Sequence, residues 1–487
     1  MSEDLLKTGI KGLDEILEGG LVPRRFYIVR GGPGTGKTTL GLHFLLEGVK
    51  NEEKLLLVSM TEDIEKIKEN ARKYGFNLDK IEFLDLIPDS NFIENNKDYD
   101  LFSSSEVEQK PLIRKLTTAI ESVKPDRIFF DGFTQLKYLS SDEFQFRKQI
   151  LSFMQFVKKY DSTLLLTSEV GSEITDDDLQ FMVDGIINIE YKNQHHYLEI
   201  SKYRGSSFNK GRHTLKFEEE GIKIYPQLKT LNYKKDYQLG QISSGVEEIN
   251  QLLHGGIEKG TTTIISGPSG VGKTTLGSQF IKESTDKGMK TIIYSFEESN
   301  KTLMERNKAI NIPLHKIENK GQLIIKKINP FEYTLDEFSY KVRQDVKNND
   351  ISVVLIDSIT GYLLSFKEYN KIHKLISSLH ALCEYLKINE VTVLMVNEVK
   401  NITGDFRVTD TETSYLADNI IFLRYLEING KLEKAIGVLK KRMSDFENTM
   451  RKFSITKDGI KVGEPLNNMR GILSGSPEII DGVLEDK

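Results

Sequence analysis

The sequence predicts a protein of class α/β built as a tandem duplication, in which each half is a mostly parallel β-sheet flanked by helices. Two observations support this prediction. Blocks of the first half recur in the second half at a nearly constant distance of 236 residues, as Lys37 and Lys273 do. Within each half, short apolar runs alternate with helical stretches. That order is typical of parallel sheets joined by crossover helices.

The repeat sets the number of domains. A length of 487 residues by itself suggests about three domains. The recurring blocks are residues 8–14 with 244–250, 19–21 with 255–257, and 31–39 with 267–275. A period this long is that of a duplicated domain and not of a short solenoid unit. We therefore predict two domains, residues 1–235 and 236–487, with the seam in the polar stretch 226–241.

Strands are predicted from continuous apolar runs of about five residues. Runs of this kind, without polar alternation, suit strands that are covered on both faces. Ligands of such sheets bind at the carboxyl ends of the strands. The predicted strands are 26–30, 55–59, 127–131, 163–167 and 185–190 in the first half, and 262–266, 291–295, 353–357, 391–396 and 419–423 in the second.

Composition narrows the class of protein. Hydrophobic residues make up 38% and charged residues 29%, which argues for a folded chain. The net charge of −5 argues against a nucleic-acid partner, because proteins that bind nucleic acid are usually basic. The single cysteine, Cys383, excludes an intrachain disulfide and a cysteine-based zinc site, and we expect it to be a buried thiol. No apolar run is long enough to span a membrane and the first residues lack a signal segment, so we expect a cytoplasmic protein.

The strongest chemical signal is a phosphate-binding loop that occurs twice, at residues 31–38 and 267–274. Each copy follows an apolar run and opens a helical stretch, as the motif requires. Its glycines allow backbone N–H groups to point at phosphate oxygens, and its lysine reaches the β- and γ-phosphates. We predict that ATP is bound by Gly34, Thr35, Gly36, Lys37, Thr38 and Thr39 in the first half, and by Ser269, Gly270, Val271, Gly272, Lys273, Thr274 and Thr275 in the second.

A phosphate loop also needs groups that hold Mg²⁺. The hydroxyls of Thr38 and Thr274 are the expected ligands within the loops. Asp131 and Asp357 each end an apolar run at similar distances from their lysines, and we predict that they complete the metal sites. The alternative for a strand-terminal aspartate is a turn or a helix cap.

Hydrolysis or phosphoryl transfer needs a carboxylate that can deprotonate the nucleophile. The second half offers Glu297 and Glu298 after a predicted strand, and the first half offers Thr61 and Glu62 at the matching place. We predict catalytic roles for Glu297, Glu298 and Glu62, and place Glu297 near the metal as well. The alternative is a solvated acidic pair.

In both halves, basic residues lie on an extended segment that comes after the last predicted strand. Lysine and arginine two residues apart on an extended segment lie on one face. They are far in sequence from their own phosphate loop, so we interpret them as serving the γ-phosphate of a neighbouring subunit. The alternative is an edge strand carrying solubilising charge. These predicted ATP-binding residues are Lys202, Tyr203 and Arg204, and Lys440, Lys441 and Arg442.

The sequence resembles the KaiC family, double-domain RecA-superfamily ATPases and autokinases of bacterial circadian clocks and related systems. The resemblance covers nearly the whole chain. Its most specific motifs are the two phosphate loops, residues 8–14 with Gly19 and Gly20, and residues 202–211, 296–299, 440–442 and 471–477.

The resemblance implies tandem RecA-like P-loop NTPase domains in two stacked rings of six, with ATP at the subunit interfaces. It implies a first domain that hydrolyses ATP slowly. It implies a second domain that phosphorylates, and later dephosphorylates, a Ser-Thr pair of its own hexamer. That pair corresponds here to Ser414 and Tyr415, which we predict to be phosphorylated. The alternative is that these two residues only cap or pack a helix. The resulting function is that of a circadian-clock or stress-timing signalling protein.

Three positions depart from the family pattern. Tyr415 stands where the family has a threonine. Thr61, in the first half, occupies the position that corresponds to Glu297 in the second half. The third is the segment after Pro477, where cyanobacterial members carry a longer tail that docks KaiA. We therefore expect no KaiA-type activator, whereas a KaiB-like partner on the first ring is compatible with the resemblance.

Two other functions share these motifs. A RecA-type DNA-dependent ATPase would show basic, aromatic loops, and binding of DNA that depends on salt would reveal one. A nucleotide-gated scaffold would assemble with ATP but hardly turn it over. The duplicated basic segments and the glutamate pair favour an enzyme over both.

Overall fold

The computed structural model describes residues 4–87, 106–138, 143–170, 176–228, 240–329, 332–366, 372–399, 413–428, 430–467, 469–472 and 478–479. The chain divides into two compact units, Met1–Gln227 and Leu228–Lys487. The predicted boundary between residues 235 and 236 lies outside the described residues, and most of the 471–477 motif does as well.

The first unit contains one nine-stranded sheet with helices on it. Its strands are β1 (Phe26–Gly31), β2 (Leu55–Ser59), β3 (Glu82–Asp85), β4 (Arg127–Asp131), β5 (Thr163–Glu169), β6 (Gly185–Lys192), β7 (His195–Tyr203), β8 (Arg212–Glu218) and β9 (Gly221–Tyr225). Its helices are α1 (Lys11–Ile16), α2 (Lys37–Lys50), α3 (Ile64–Arg72), α4 (Glu106–Val123), α5 (Gln135–Tyr138), α6 (Glu143–Lys158) and α7 (Asp177–Met182).

The second unit repeats this arrangement. Its strands are β10 (Gln241–Ile242), β11 (Ile257–Glu258), β12 (Thr262–Gly267), β13 (Thr291–Ser295), β14 (Leu323–Lys327), β15 (Val353–Asp357), β16 (Thr392–Glu398), β17 (Asn419–Ile428), β18 (Lys431–Lys441), β19 (Arg451–Thr456), β20 (Gly459–Pro465), β21 (Met469–Arg470) and β22 (Glu478–Ile479). Its helices are α8 (Glu247–Leu252), α9 (Lys273–Asp286), α10 (Asn300–Ala309), α11 (Leu314–Glu318), α12 (Leu335–Asn349), α13 (Ile359–Ser365) and α14 (Ile372–Ile388), with a short 3-10 turn at Thr413–Leu416.

Both large sheets have the same strand order. The first runs β3-β2-β4-β5-β1-β6-β7-β8-β9, and the second runs β14-β13-β15-β16-β12-β17-β18-β19-β20. In the first sheet, the neighbouring strands β3, β2, β4, β5, β1 and β6 pair in parallel, in that order. The neighbouring strands β6, β7, β8 and β9 pair antiparallel. The predicted fold class is therefore confirmed, and the antiparallel extension is an addition that the apolar runs did not indicate.

The central strand of the first sheet shows why its sequence is continuously apolar. Tyr27 and Val29 belong to one buried cluster, and Phe26 and Ile28 belong to another. Alternate side chains therefore enter separate cores on the two faces of the sheet. In the second unit, Cys383 is 1% exposed, as expected, and burial raises the pKa of its thiol to about 12. Within the described ranges, no helix is both long and apolar enough to span a bilayer.

One position on the phosphate-loop helix makes the first unit sensitive to acid. The Nε2 atom of His43, on α2, accepts a hydrogen bond from the backbone N–H of Ile222 at 3.0 Å, and burial lowers the pKa of this imidazole to about 4. An unfolded histidine titrates near 6.5. Because the folded unit holds this imidazole in its neutral form, the contribution of His43 to the stability of the first unit is present above about pH 6.5. That contribution is lost as the pH falls toward 4.

We expect the substitution His43→Gln to remove this part of the pH dependence, because a glutamine side chain does not titrate. Glutamine should also fit the site, since Gln279 occupies the matching position of the second unit. From pH 7 to pH 5, wild type should lose about 2 kcal/mol more stability in the first unit than the variant does. Hydrogen exchange of peptides from α2 measures this difference. An equal loss in both proteins would show that His43 does not titrate as described.

Candidate functional site

The two predicted phosphate loops connect the central strand of each sheet to the helix that follows it. They lie between β1 and α2 and between β12 and α9. Gly36 and Gly272 have φ angles of 97° and 120°, which disfavour any residue with a side chain. A Cβ atom on Gly36 would lie 2.7 Å from the ring of Phe217. These glycines therefore let the loop turn tightly into the helix N-terminus, where backbone N–H groups can receive an anion.

The loop lysines lie over their own loops. The Nζ atom of Lys37 donates hydrogen bonds to the carbonyl oxygens of Gly31 and Gly32, both at 2.8 Å. The Nζ atom of Lys273 donates to the carbonyl oxygen of Pro268 at 2.7 Å and lies 3.7 Å from a carboxylate oxygen of Glu398. Burial lowers the pKa of both lysines, although nearby carboxylates oppose the shift. Each ammonium group therefore lies where it would meet the phosphates of a nucleotide bound to its loop.

The predicted metal-binding groups are brought together in both units. The hydroxyl of Thr38 donates a hydrogen bond to Asp131 at 2.7 Å, and the hydroxyl of Thr274 donates to Asp357 at 3.1 Å. A threonine of β5 that the sequence did not single out, Thr167, donates to the second oxygen of Asp131 at 2.6 Å. Hydroxyl and carboxylate oxygens are hard donors, which are the kind that Mg²⁺ prefers.

Asp357, the predicted metal ligand of the second unit, lies close to the negative charges of two glutamates. Burial raises the pKa of Asp357 to about 6; the charges of Glu297 and Glu298 contribute, while the hydrogen bond from Thr274 opposes the shift. A cation near these carboxylates would relieve their mutual repulsion. The chemistry of the residues present therefore fits a divalent metal ion.

The structure separates the roles of the two adjacent glutamates after β13. Glu298 accepts a hydrogen bond from the guanidinium group of Arg306, on α10, at 2.7 Å. Glu297 is exposed, and its Oε1 atom accepts a hydrogen bond from the hydroxyl of Ser358, the residue after Asp357. Glu297 is therefore the carboxylate beside the metal-binding aspartate, whereas Glu298 is paired with an arginine.

The first unit differs at this place. Glu62, at the position of Glu298, accepts a hydrogen bond from the side-chain amide of Asn70 at 3.1 Å. Thr61, at the position of Glu297, is exposed and lies against Gly132. In this unit the glutamate is therefore held by α3, and no glutamate occupies the position of Glu297.

A cleft of about 410 Å³ opens beside the phosphate loop of the first unit. One part of its wall is the loop itself, from Gly34 to Thr39. The rest of the wall combines apolar and aromatic side chains with polar ones, namely Leu42, Ile67, Ala71, Tyr74 and Phe217 with Glu62, Asn70 and Lys73. A cleft that joins a phosphate-binding loop to aromatic side chains suits a nucleotide.

The lysine and arginine of each predicted basic segment lie near the surface. The Nζ atom of Lys202 donates hydrogen bonds to the carbonyl oxygens of Gln180 and Phe181, at 2.7 and 3.2 Å. Lys440 does the same with Ala417 and Ser414, at 2.6 and 3.3 Å. The matching arginines, Arg204 and Arg442, are exposed.

The residues between these cations have other contacts. The hydroxyl of Tyr203 donates a hydrogen bond to the carbonyl oxygen of Gly20 at 2.6 Å. Lys441 is buried, and its ammonium group forms an ion pair with Glu258 at 3.0 Å. Both side chains therefore stabilise the fold of their own unit and point away from the surface that carries the cations.

The basic segments lie at the opposite end of the sheet from the phosphate loops. Tyr203 pairs with Gly185, and Gly185 pairs with Tyr27 near the beginning of β1, whereas the phosphate loop follows the end of β1. A strand of six residues spans about 20 Å. The second unit has the same register, with Lys441 opposite Asn419 and Asn419 opposite Thr263. The cations therefore do not meet the phosphate loop of their own unit.

The predicted phosphorylation site lies at this same end. Ser414 and Tyr415 belong to the 3-10 turn that precedes β17. Ser414 is partly exposed, and Tyr415 is 50% exposed, with its ring 5.7 Å from that of His380. The acidic neighbours Asp410 and Glu412 lie outside the described residues.

Comparison with known proteins agrees with the motifs. The model of the KaiC ATPase family matches residues 6–229 and again residues 242–467. The chain is 28% identical over 492 residues to the circadian clock oscillator protein KaiC of Parasynechococcus marenigrum, covering 98% of this chain and 94% of that protein. It is 26% identical over 513 residues to the circadian clock protein KaiC3 of Synechocystis sp., covering 99% and 98%. It is 27% identical over 495 residues to the KaiC oscillator protein of Prochlorococcus marinus, covering 99% and 97%.

Proposed function

The chain belongs to the KaiC family of ATPases, and on that premise we propose that it is an ATP-hydrolysing, self-phosphorylating kinase that assembles into six-membered rings. The observation that supports this most strongly is the separation of each phosphate loop from its Lys-x-Arg segment. Since the two lie at opposite ends of one sheet, a nucleotide contacted by both must lie between two subunits.

An interface of this kind joins different surfaces of two identical subunits. Such heterologous contacts close into a ring when the rotation between subunits fits. Exposed apolar side chains occur close to the cations along the chain, and apolar side chains are typical of the buried centre of an interface. Phe181, whose carbonyl holds Lys202, is 73% exposed, and Leu439 and Met443, beside Lys440 and Arg442, are 42% and 47% exposed.

We propose that the second ring transfers phosphate to Ser414 across this interface. Glu297 of one subunit would take the proton of the Ser414 hydroxyl of the next as the serine oxygen attacks the γ-phosphorus. The bond from the γ-phosphorus to the bridging oxygen would break, and ADP would leave. Lys273 would hold the β- and γ-phosphates, and Lys440 and Arg442 would balance the charge that develops during transfer.

Magnesium would be held by Thr274 and Asp357 in the second unit, and by Thr38 and Asp131 in the first. When bound, it would neutralise phosphate charge. Lys202 and Arg204 would face the nucleotide of the first ring as Lys440 and Arg442 face that of the second. We assign Tyr203 and Lys441 to holding their strands, because their polar atoms are bonded within their own units.

The similar proteins named above are circadian clock proteins, which supports a timing role. We propose that phosphorylation at Ser414 records the history of ATP turnover in the ring, and that a KaiB-like partner of the first ring reads it. A phosphate adds about −1.5 to −2 charges at neutral pH. Lys440 donates a hydrogen bond to the Ser414 carbonyl oxygen, so its ammonium group is placed to respond to that charge.

We expect Mg-ATP to convert the protein into hexamers, because nucleotide would complete each interface. Native mass spectrometry with and without Mg-ATP measures this. Arg204→Ala combined with Arg442→Ala should weaken the ring, whereas Lys461→Ala, which removes a cation that is 61% exposed at its side chain on β20, should not. Wild type that stays monomeric at saturating Mg-ATP would contradict the ring, and therefore the trans arrangement.

A further inference from the structure

A serine that the motifs do not include, Ser358, donates a hydrogen bond to Glu297. Ser358 is 2% exposed. Its hydroxyl oxygen accepts a hydrogen bond from the backbone N–H of Gly361 at 3.0 Å, and the hydroxyl donates to Oε1 of Glu297. A hydroxyl has one proton. Because the backbone N–H occupies its acceptor side, that proton is directed at the carboxylate.

We infer that Ser358 is a positioning residue for Glu297. This inference rests on the proposed function, in which Glu297 is the general base. A glutamate side chain that is exposed has several accessible rotamers, whereas a base must lie within hydrogen-bond reach of the proton it removes. The bond to Ser358 fixes one carboxylate oxygen beside Asp357 and leaves the other to receive the proton.

The first unit lacks both members of this pair. Thr61 stands at the position of Glu297, and Gly132 at the position of Ser358. A Cβ atom on Gly132 would lie 2.3 Å from Cγ2 of Thr61. The backbone differs as well, since Gly132 has a φ angle of 82° and Ser358 one of −124°.

The first unit therefore lacks the counterparts of both Glu297 and Ser358. It keeps the phosphate loop, the threonine and aspartate that suit a metal, and a cleft that suits a nucleotide. The positioning role of Ser358 is accordingly confined to the second unit.

The test of the serine uses a protein in which Lys37→Ala has disabled the first unit. Ser358→Ala in that protein should lower kcat for ATP hydrolysis by about ten- to a hundredfold, as misplacement of a catalytic group does, with KM for ATP little changed. Ser358→Thr should restore part of the rate. Added to Glu297→Gln, Ser358→Ala should cause no further loss, because the two residues act as one unit.

Ser358 also caps the N-terminus of α13, so a purely structural role needs a control. Thr334 caps α12 in the same unit by accepting a hydrogen bond from the backbone N–H of Glu337, and it touches no proposed catalytic group. Thr334→Ala should lower stability and leave kcat unchanged. If Ser358→Ala lowers stability and leaves kcat unchanged, Ser358 is only a cap and the inference is wrong.

Two further outcomes separate this inference from the proposed function. If Glu297→Gln alone keeps full activity, the proposed base is wrong and the inference falls with it. If Glu297→Gln loses activity while Ser358→Ala does not, the base stands and the inference alone is wrong.

Discussion

Replacing Glu297 by glutamine is expected to lower both phosphoryl transfer to Ser414 and ATP hydrolysis by the second unit about 10²- to 10⁴-fold, the usual contribution of a general base. Glutamine keeps the size of the side chain and can accept the hydrogen bond from Ser358, but an amide cannot take a proton from the nucleophile. Label transferred from γ-labelled ATP in a single turnover measures the loss.

The neighbouring glutamate provides the matched control. Glu298 is bonded to Arg306 at 2.7 Å, so Glu298→Gln removes an ion pair and leaves the proposed base in place. We expect a loss of tenfold at most, since the arginine keeps a hydrogen-bond partner. Similar losses in the two variants would mean that the carboxylates act together, and a larger loss in Glu298→Gln would reverse their roles.

Replacing both loop lysines by alanine is expected to abolish ATP hydrolysis and nucleotide-dependent assembly together. Each ammonium group lies over its own loop, and its removal takes away the positive charge that would meet the β- and γ-phosphates. Lys273→Ala alone should eliminate label on Ser414, because the transfer uses the nucleotide of the second unit. Lys37→Ala alone should keep that label.

Lysines of the same helices that lie away from the phosphate loops serve as controls. Lys50 lies at the end of α2, and Lys282 lies on α9, where it pairs with Asp286 at 2.8 Å. Their replacement by alanine should change neither activity nor assembly measurably. Retention of Ser414 labelling in Lys273→Ala would show that phosphate comes from another nucleotide. Full assembly of the double lysine variant would show that nucleotide does not hold the ring.

The parallel strands at the centre of each sheet could be predicted because their burial on both faces is visible in the sequence as a continuous apolar run. A strand with cores on both faces needs apolar residues at every position, as Phe26, Tyr27 and Ile28 show. The phosphate loops and strand-end aspartates were equally visible, since the backbone and metal chemistry restrict which residues can stand there. The antiparallel strands β7 to β9 were not predicted from the sequence, because partly exposed antiparallel strands such as β8 mix polar and apolar residues.

The division of labour within the site could not be predicted, because it depends on contacts between distant segments. Glu297 and Glu298 are adjacent and chemically alike, and only the folded chain brings Ser358 to one and Arg306 to the other. Likewise, the sequence placed Lys441 beside two surface cations. Its burial against Glu258 follows from the pairing of β17 with β18, which turns alternate side chains inward.

Peptide mass spectrometry after incubation with Mg-ATP is the most direct test of self-phosphorylation across a ring interface. We expect phosphate on Ser414 in wild type and none there in Glu297→Gln or Ser414→Ala. Phosphate on Tyr415 as well would extend the cycle to two sites. An assembled wild-type protein that binds ATP but carries no phosphate on Ser414 would contradict the proposed self-phosphorylation.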